Sequence, residues 1–328
     1  MDLKGKRILF IAPSFFNYWN AIKRELEIRE AKVHWVNSDV ETMNRIDKNL
    51  YFHVKSLKEY VVRKYFRKFL KDQVNYDIVF VIRGEILSVD SIKKLKSQNP
   101  NATFIMYQWD GANSVAYCKE TSSLFDKVLT FDIKDSKELG WIYCPLFYLH
   151  ENFTPYNERK YDMTLIGSLH SRRLELLHKV KAICNEKKLK LFSHLYSPMI
   201  SYIKRKYILR DAVYLSAHKG EVSSKTIALD EVYKIFSDSK ILVDFTATHQ
   251  TGFSMRTIEC LANRCKLITN NKEILKADFY SKENIYVYDI DNFEIPNTFL
   301  SSYYHEIDKS ILQKYSLCGW VDNVFSDE

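Results

Sequence analysis

The chain has 328 residues, 46% hydrophobic and 27% charged, with 8 glycines and 6 prolines. That usage excludes a largely disordered chain and a collagen-like fibre, and a length about twice that of a typical single domain calls for two cores. With 49 basic against 41 acidic residues the net charge is +8, which suits an anionic ligand, an anionic lipid surface or nucleic acid.

Residues 7–13 form a short apolar run ending at Pro13, and 18–30 then alternate charged and apolar side chains, so the chain reads as strand, loop and helix. Similar runs recur at 78–82, 103–107 and 127–131, each followed by polar residues and a helical stretch. Continuous apolarity predicts strands buried on both faces, as in a parallel sheet. The pattern breaks at 145–160, where the domain boundary is expected. A second series runs through 161–167, 240–245, 265–269 and 284–288, and a helix is expected over 311–325. The result is an α/β protein of two doubly wound halves, whose ligands would bind beyond the carboxyl ends of the strands, in a cleft between the halves.

The six cysteines (118, 144, 184, 260, 265 and 318) are scattered, with no Cys-x-x-Cys pair and no zinc-ligand spacing, which fits a reducing cytosol. Residues 1–7 lack a signal-peptide core, and no window approaches the roughly 18 apolar residues of a membrane span. A cytoplasmic protein, free or peripheral on the inner face of the membrane, is expected.

The stretch 249–262 carries the most chemistry. Ser254 can cap a helix whose apolar positions Met255, Ile258, Leu261 and Ala262 repeat at helical spacing, while Gly252 permits a tight turn before it. The free N–H groups and positive dipole end of that helix could hold a diphosphate, with Arg256 bonding phosphate oxygens in pairs. Glu259, one turn on, could accept both hydroxyls of a ribose. An ordinary Arg–Glu pair at i,i+3 is the competing explanation.

Residues 251–259 (Thr-Gly-Phe-Ser-Met-Arg-Thr-Ile-Glu) with 260–270 resemble the nucleotide-sugar motif of GT-B glycosyltransferases, especially bacterial capsule, lipopolysaccharide and exopolysaccharide enzymes. Residues 161–173 resemble the strand and loop that open the donor domain of these enzymes, and 107–113, 131–135 and 145–148 resemble further segments of them. The resemblance implies a GT-B fold of two Rossmann-like domains with a cleft between them. It further implies an acceptor-binding domain at 1–150, a donor-binding domain at 158–300, and a C-terminal helical segment, 301–328, packing back across the domains.

The implied donor-binding residues are Gly167, Ser168, Arg172, Arg173, His249, Gly252, Phe253, Ser254, Met255, Arg256 and Glu259. In retaining relatives two glutamates bracket the motif. Glu259 matches the second, whereas Thr251 stands in the first position, which leaves the stereochemical course open. Asp110, after the strand at 103–107, is the candidate base for an acceptor hydroxyl, with Glu85 in reserve, although either carboxylate could instead close a turn.

The implied activity is transfer of a sugar from a nucleotide-diphosphate donor, a UDP-sugar being favoured, to a glycan or lipid-linked glycan acceptor. Alternatives are a nucleotide-sugar epimerase of the same fold and a non-catalytic nucleotide-sugar or glycan-binding subunit. No cofactor and no metal are expected, although Asp289-Ile-Asp291 has the Asp-x-Asp form of metal-dependent transferases. Gly-x-Gly-x-x-Gly after the first strand, a P-loop and a hydrolase elbow are all missing. Residues 55–71 could form a helix with one aromatic and one cationic face, suited to an anionic membrane surface, and 202–210 is a second such stretch. For each, a domain helix packing its apolar side inward with its charges in water is the slightly favoured reading. No recognition module supports nucleic-acid binding.

Overall fold

A computed structural model of the protein describes residues 1–39, 43–53, 57, 60, 61, 64, 65, 75–115, 117–151, 153–247 and 250–327. The chain forms two compact units, Met1–Leu146 with Leu317–Glu328, and Phe147–Ser316.

The first unit holds a six-stranded parallel sheet of β1 (Arg7–Ala12), β2 (Lys32–Asn37), β3 (Ile78–Ile82), β4 (Thr103–Gln108), β5 (Lys127–Thr130) and β6 (Ile142–Tyr143). Their order is β2-β1-β3-β4-β5-β6. All five residues of β3 are buried, and β1 and β4 each expose only their first residue to any degree. This is the unbroken apolarity of strands covered on both faces. One cover is the helix Leu317–Val324. Its Trp320 ring meets Tyr107 edge-on at 4.9 Å, and Phe325, just beyond it, meets Phe80 at 5.1 Å.

The second unit repeats the plan with β7 (Tyr161–Ser168), β8 (Leu191–Tyr196), β9 (Val222–Ser223), β10 (Ser239–Val243), β11 (Lys266–Thr269) and β12 (Ile285–Val287), in the order β12-β11-β10-β7-β8-β9. The chain runs outward from β7 through β8 to β9, then returns to the other side of β7 as β10. Strand order therefore reverses between β7 and β10, and it is beyond the carboxyl ends of such a pair that open α/β sheets bind ligands. Lys266 begins β11 fully buried and, among the described residues, has no carboxylate partner. Its ammonium donates to the carbonyls of Phe299 and Ser302, holding down the end of the helix Asn297–Ser301. Burial pushes its pKa down to about 8.

Two expectations are modified. The single helix over 311–325 is two helices, Lys309–Lys314 and Leu317–Val324. Between them the Tyr315 carbonyl accepts from the Tyr148 N–H at 2.8 Å and Ser316 bridges to Tyr148, so this backbone is committed to strand-like pairing and cannot continue a helix. Within 55–71, Val61 and Tyr65 are buried in a cluster with Met43, Tyr51 and Ile86, and Lys64 pairs with Asp47 at 2.8 Å. Leu57 and Tyr60 are exposed, and the other residues of the stretch lie outside the described ones. Among the described residues no helix is long and apolar enough to cross a membrane.

Candidate functional site

The carboxyl ends of β7 and β10 gather most of the residues singled out in the second unit. After β10, Asp244 is buried and its carboxylate accepts from the hydroxyls of Ser254 at 2.9 Å and Thr246 at 3.2 Å. Ser254 in turn caps the helix Met255–Ala262, its oxygen accepting from the Thr257 N–H at 3.2 Å. The hydroxyl thus fixes both the start of the helix and its position against the end of β10.

The loops beside this helix are held from β11. Asn270 bonds the Thr246 N–H and carbonyl at 2.7 and 2.9 Å, closing a reciprocal pair. Asn271 donates to the carbonyls of Thr251 and Gly252 at 3.2 and 3.1 Å. Two adjacent asparagines therefore clamp the loop from β10 to the helix N-terminus at two points.

Two guanidiniums lie beside them. Arg256 donates to Glu259 at 2.7 Å and to the Ile166 carbonyl at 3.4 Å, and it packs over the Phe236 ring at 4.3 Å. Glu259 is 2% exposed, so this is an enclosed pair rather than an ordinary surface one. Arg173 has no carboxylate within ion-pair distance among the described residues: it donates to the Ser168 and Phe245 carbonyls, each at 3.1 Å, and meets the His170 ring at 2.8 Å. Burial lowers its pKa, opposed by Asp244 and, to a smaller extent, assisted by the Arg256 charge. Gly167, near the end of β7, lies against this guanidinium. A Cβ at that position would stand 3.0 Å from Arg173 Nη1 and 3.2 Å from Cζ.

Other predicted residues fall differently. Arg172 forks onto Glu175 at 2.6 and 2.7 Å and reaches Asp291 at 2.5 Å, so its charge is already matched by two carboxylates. Asp291, one of the Asp-x-Asp pair, is thereby engaged with an arginine. Phe253 turns its ring into the core against Phe279 at 5.4 Å, which leaves its backbone for any ligand contact. Ser168 is exposed at the end of β7, Met255 is half-buried in the first helical turn, and His249 lies outside the described residues.

In the first unit, Glu85 and Asp110 come together around a residue that was not singled out, Arg83. Its guanidinium is 3.3 Å from each carboxylate. Arg83 and Gly84 both have φ of 69°, a turn that lifts the chain off the end of β3 and holds a non-glycine residue in the left-handed region. Buried Gln108 secures it by donating to the Arg83 carbonyl at 2.9 Å. Partial burial raises the Asp110 pKa, and Arg83 opposes the shift. Asp244, Asn271 and Arg83 were the residues missed. Asp244 left a signal, as the single acid closing the apolar run 240–245.

No protein-family model matches the sequence, and no curated protein matches it. Solved structures do. The lipopolysaccharide outer core galactosyltransferase WaaB in its apo form is 13% identical, with a TM-score of 0.52 over 97% of this chain and 98% of that one. Anabaena HepE in complex with UDP and glucose is 9% identical, with a TM-score of 0.55 over 98% and 100%. A Listeria monocytogenes structure titled a UDP-N-acetylglucosamine 2-epimerase is 11% identical, with a TM-score of 0.51 over 98% and 97%. The two parallel, doubly wound sheets and these matches along nearly the whole chain show that the protein has the GT-B fold.

Proposed function

We propose that this protein is a glycosyltransferase that moves a sugar from a nucleotide-diphosphate donor to a growing cell-surface polysaccharide on a lipid-linked acceptor, at the cytoplasmic face of the membrane. The observation that carries the reading is Arg173, a guanidinium without an ion-pair partner among the described residues, set beside Arg256 and the capped helix N-terminus at the carboxyl ends of β7 and β10. Fixed positive charge at such a place suits a diphosphate. A UDP-sugar is the favoured donor.

In the transfer, the bond from the anomeric carbon to the diphosphate oxygen breaks and its electron pair leaves with the nucleoside diphosphate. The acceptor oxygen bonds to that carbon and loses its proton. Arg173, Arg256 and the helix N–H groups would stabilise the charge that grows on the leaving group, a term whose loss typically costs orders of magnitude in rate. Glu259 would accept the ribose hydroxyls while keeping Arg256 in place. For an inverting course, Asp110, with Glu85 as reserve, would take the acceptor proton, Arg83 holding both carboxylates at the strand ends of the acceptor-binding unit.

Donor turnover, followed with labelled UDP-, GDP-, CDP- and dTDP-sugars with and without lipid-linked acceptor, tests the reading. Acceptor-dependent release of one nucleoside diphosphate is expected. Conversion of the donor sugar without acceptor would make the protein an epimerase instead, and binding without turnover would make it a non-catalytic subunit.

A further inference from the structure

Between β8 and β9 the second unit makes a helical excursion whose surface is the reverse of a soluble protein's. The helix Met199–Ile203 runs into a wider π-helical turn, Lys204–Ile208. Ile200, Tyr207, Ile208 and Leu209 are 84%, 67%, 71% and 60% exposed, and Met199 and Ile203 stand out beside them at 59% and 48%. Six large apolar side chains in one short segment form a contiguous patch of the kind that marks an interaction surface.

The charges around the patch say what covers it. From 198 to 220 there are five basic residues and a single acid, Asp211. Asp211 is already used, pairing with Arg205 at 2.9 Å. Arg205 also covers the core residue Tyr214 at 4.7 Å, and Lys206 donates to the Tyr202 hydroxyl and the Ala217 carbonyl, each at 3.0 Å. These two cations fasten the excursion to its own unit. Lys204 and Arg210 remain exposed beside the apolar side chains. An apolar ridge rimmed by cations, with no acid left over, complements the acyl region and the anionic headgroups of a lipid bilayer.

We infer that residues 199–210 are the element by which this protein docks on an anionic membrane. The inference deepens the proposed function by naming the surface that would bring the protein to a lipid-linked acceptor, and it rests on that reading only for what the acceptor is.

The test uses the full chain and vesicles of phosphatidylcholine with or without phosphatidylglycerol, free of glycan and nucleotide, so its result is independent of sugar transfer. Flotation should show binding to the anionic vesicles, about tenfold weaker to neutral ones, and weakening with salt. The variant Ile200→Ser/Tyr207→Ser/Ile208→Ser should lose binding by about tenfold or more, and Lys204→Gln/Arg210→Gln should lose several-fold and flatten the salt dependence. Circular dichroism and an unchanged melting temperature would show that both variants fold. No binding by the parent protein, or equal binding by the triple variant, overturns the inference. So does concentration-dependent self-association that the triple variant abolishes while vesicles capture neither protein, since the patch would then be a contact between two copies.

Discussion

Arg256 and Glu259, one helical turn apart, form a 2.7 Å ion pair in which the carboxylate side chain is 3% exposed. At the proposed donor site, a pair this enclosed would tie donor recognition to stability, because removing either partner strands the other in a largely dry site. Arg256→Ala should abolish nucleotide-induced thermal stabilisation and also cost about 3 kcal/mol in urea denaturation. The volume-matched double variant Arg256→Met/Glu259→Leu should recover most of that stability and none of the ligand response. Recovery of both would remove the pair from the donor site.

Gly167 and Arg173 give a prediction of steric origin. A methyl group at 167 would press on the Arg173 guanidinium at 3.0 Å, so Gly167→Ala should displace it and weaken nucleotide binding by about tenfold, with about 1 kcal/mol of lost stability. If the effect passes through Arg173, Gly167→Ala in an Arg173→Ala background should add little. Additive losses in titration calorimetry would refute that route.

The loop clamp can be read by hydrogen exchange. Asn271→Ala removes two bonds to the carbonyls of Thr251 and Gly252, and amides from 250 to 257 should exchange faster while those of β7 stay protected. Ser254→Ala, which deletes the helix cap and a donor to Asp244, should cost about 1 kcal/mol. Unchanged exchange in Asn271→Ala would show that the loop holds its form without the clamp.

Acid sensitivity should centre on Glu221. Burial raises its pKa, but this is outweighed by donors from Lys181 at 2.8 Å, His178 at 2.9 Å and the His218 N–H at 2.9 Å, which bring it down to about 2 from an ordinary value of 4.5. A carboxyl with a depressed folded pKa contributes stability that is complete above 4.5 and lost as pH falls toward 2. Urea denaturation should therefore show a decline of up to about 3 kcal/mol across that window, reduced in Glu221→Gln. An identical decline in the variant would assign the acid sensitivity to other carboxylates.

For the acceptor step, Asp110→Asn should lower kcat by at least about a hundredfold while leaving donor affinity within about twofold, with Glu85→Gln much milder. The reverse order would exchange the two roles, and full activity in both would place the base elsewhere.

Most of the eight strands read from the sequence are buried runs such as 78–82, where cover on two sides writes unbroken apolarity, although β12, a sheet edge with one buried residue, was legible too. The four that escaped, β2, β6, β8 and β9, lie at sheet edges or next to one, where β2 reads Lys-Val-His-Trp-Val-Asn and half-exposed β8 carries Ser193 and His194. An edge needs apolar residues on one face only, so its pattern fades into that of a loop. The helix at Met255–Ala262 was legible for a similar local reason: its cap, its charged pair and its apolar stripe all lie within a few residues of one another.

Chain topology decided the rest. Arg172 and Arg173 are neighbours that sequence treats alike, yet Asp291, far along the chain, claims one, and the carbonyl at Phe245, just after β10, holds the other. Arg83, Asp244 and Asn271 acquire meaning only when parallel strands bring their carboxyl ends level. The local sequence thus determined the helix and the doubly wound class, because those follow from periodicity and burial. Which charges remain unmatched was settled by contacts between residues distant in the chain, and only the tertiary structure makes those contacts.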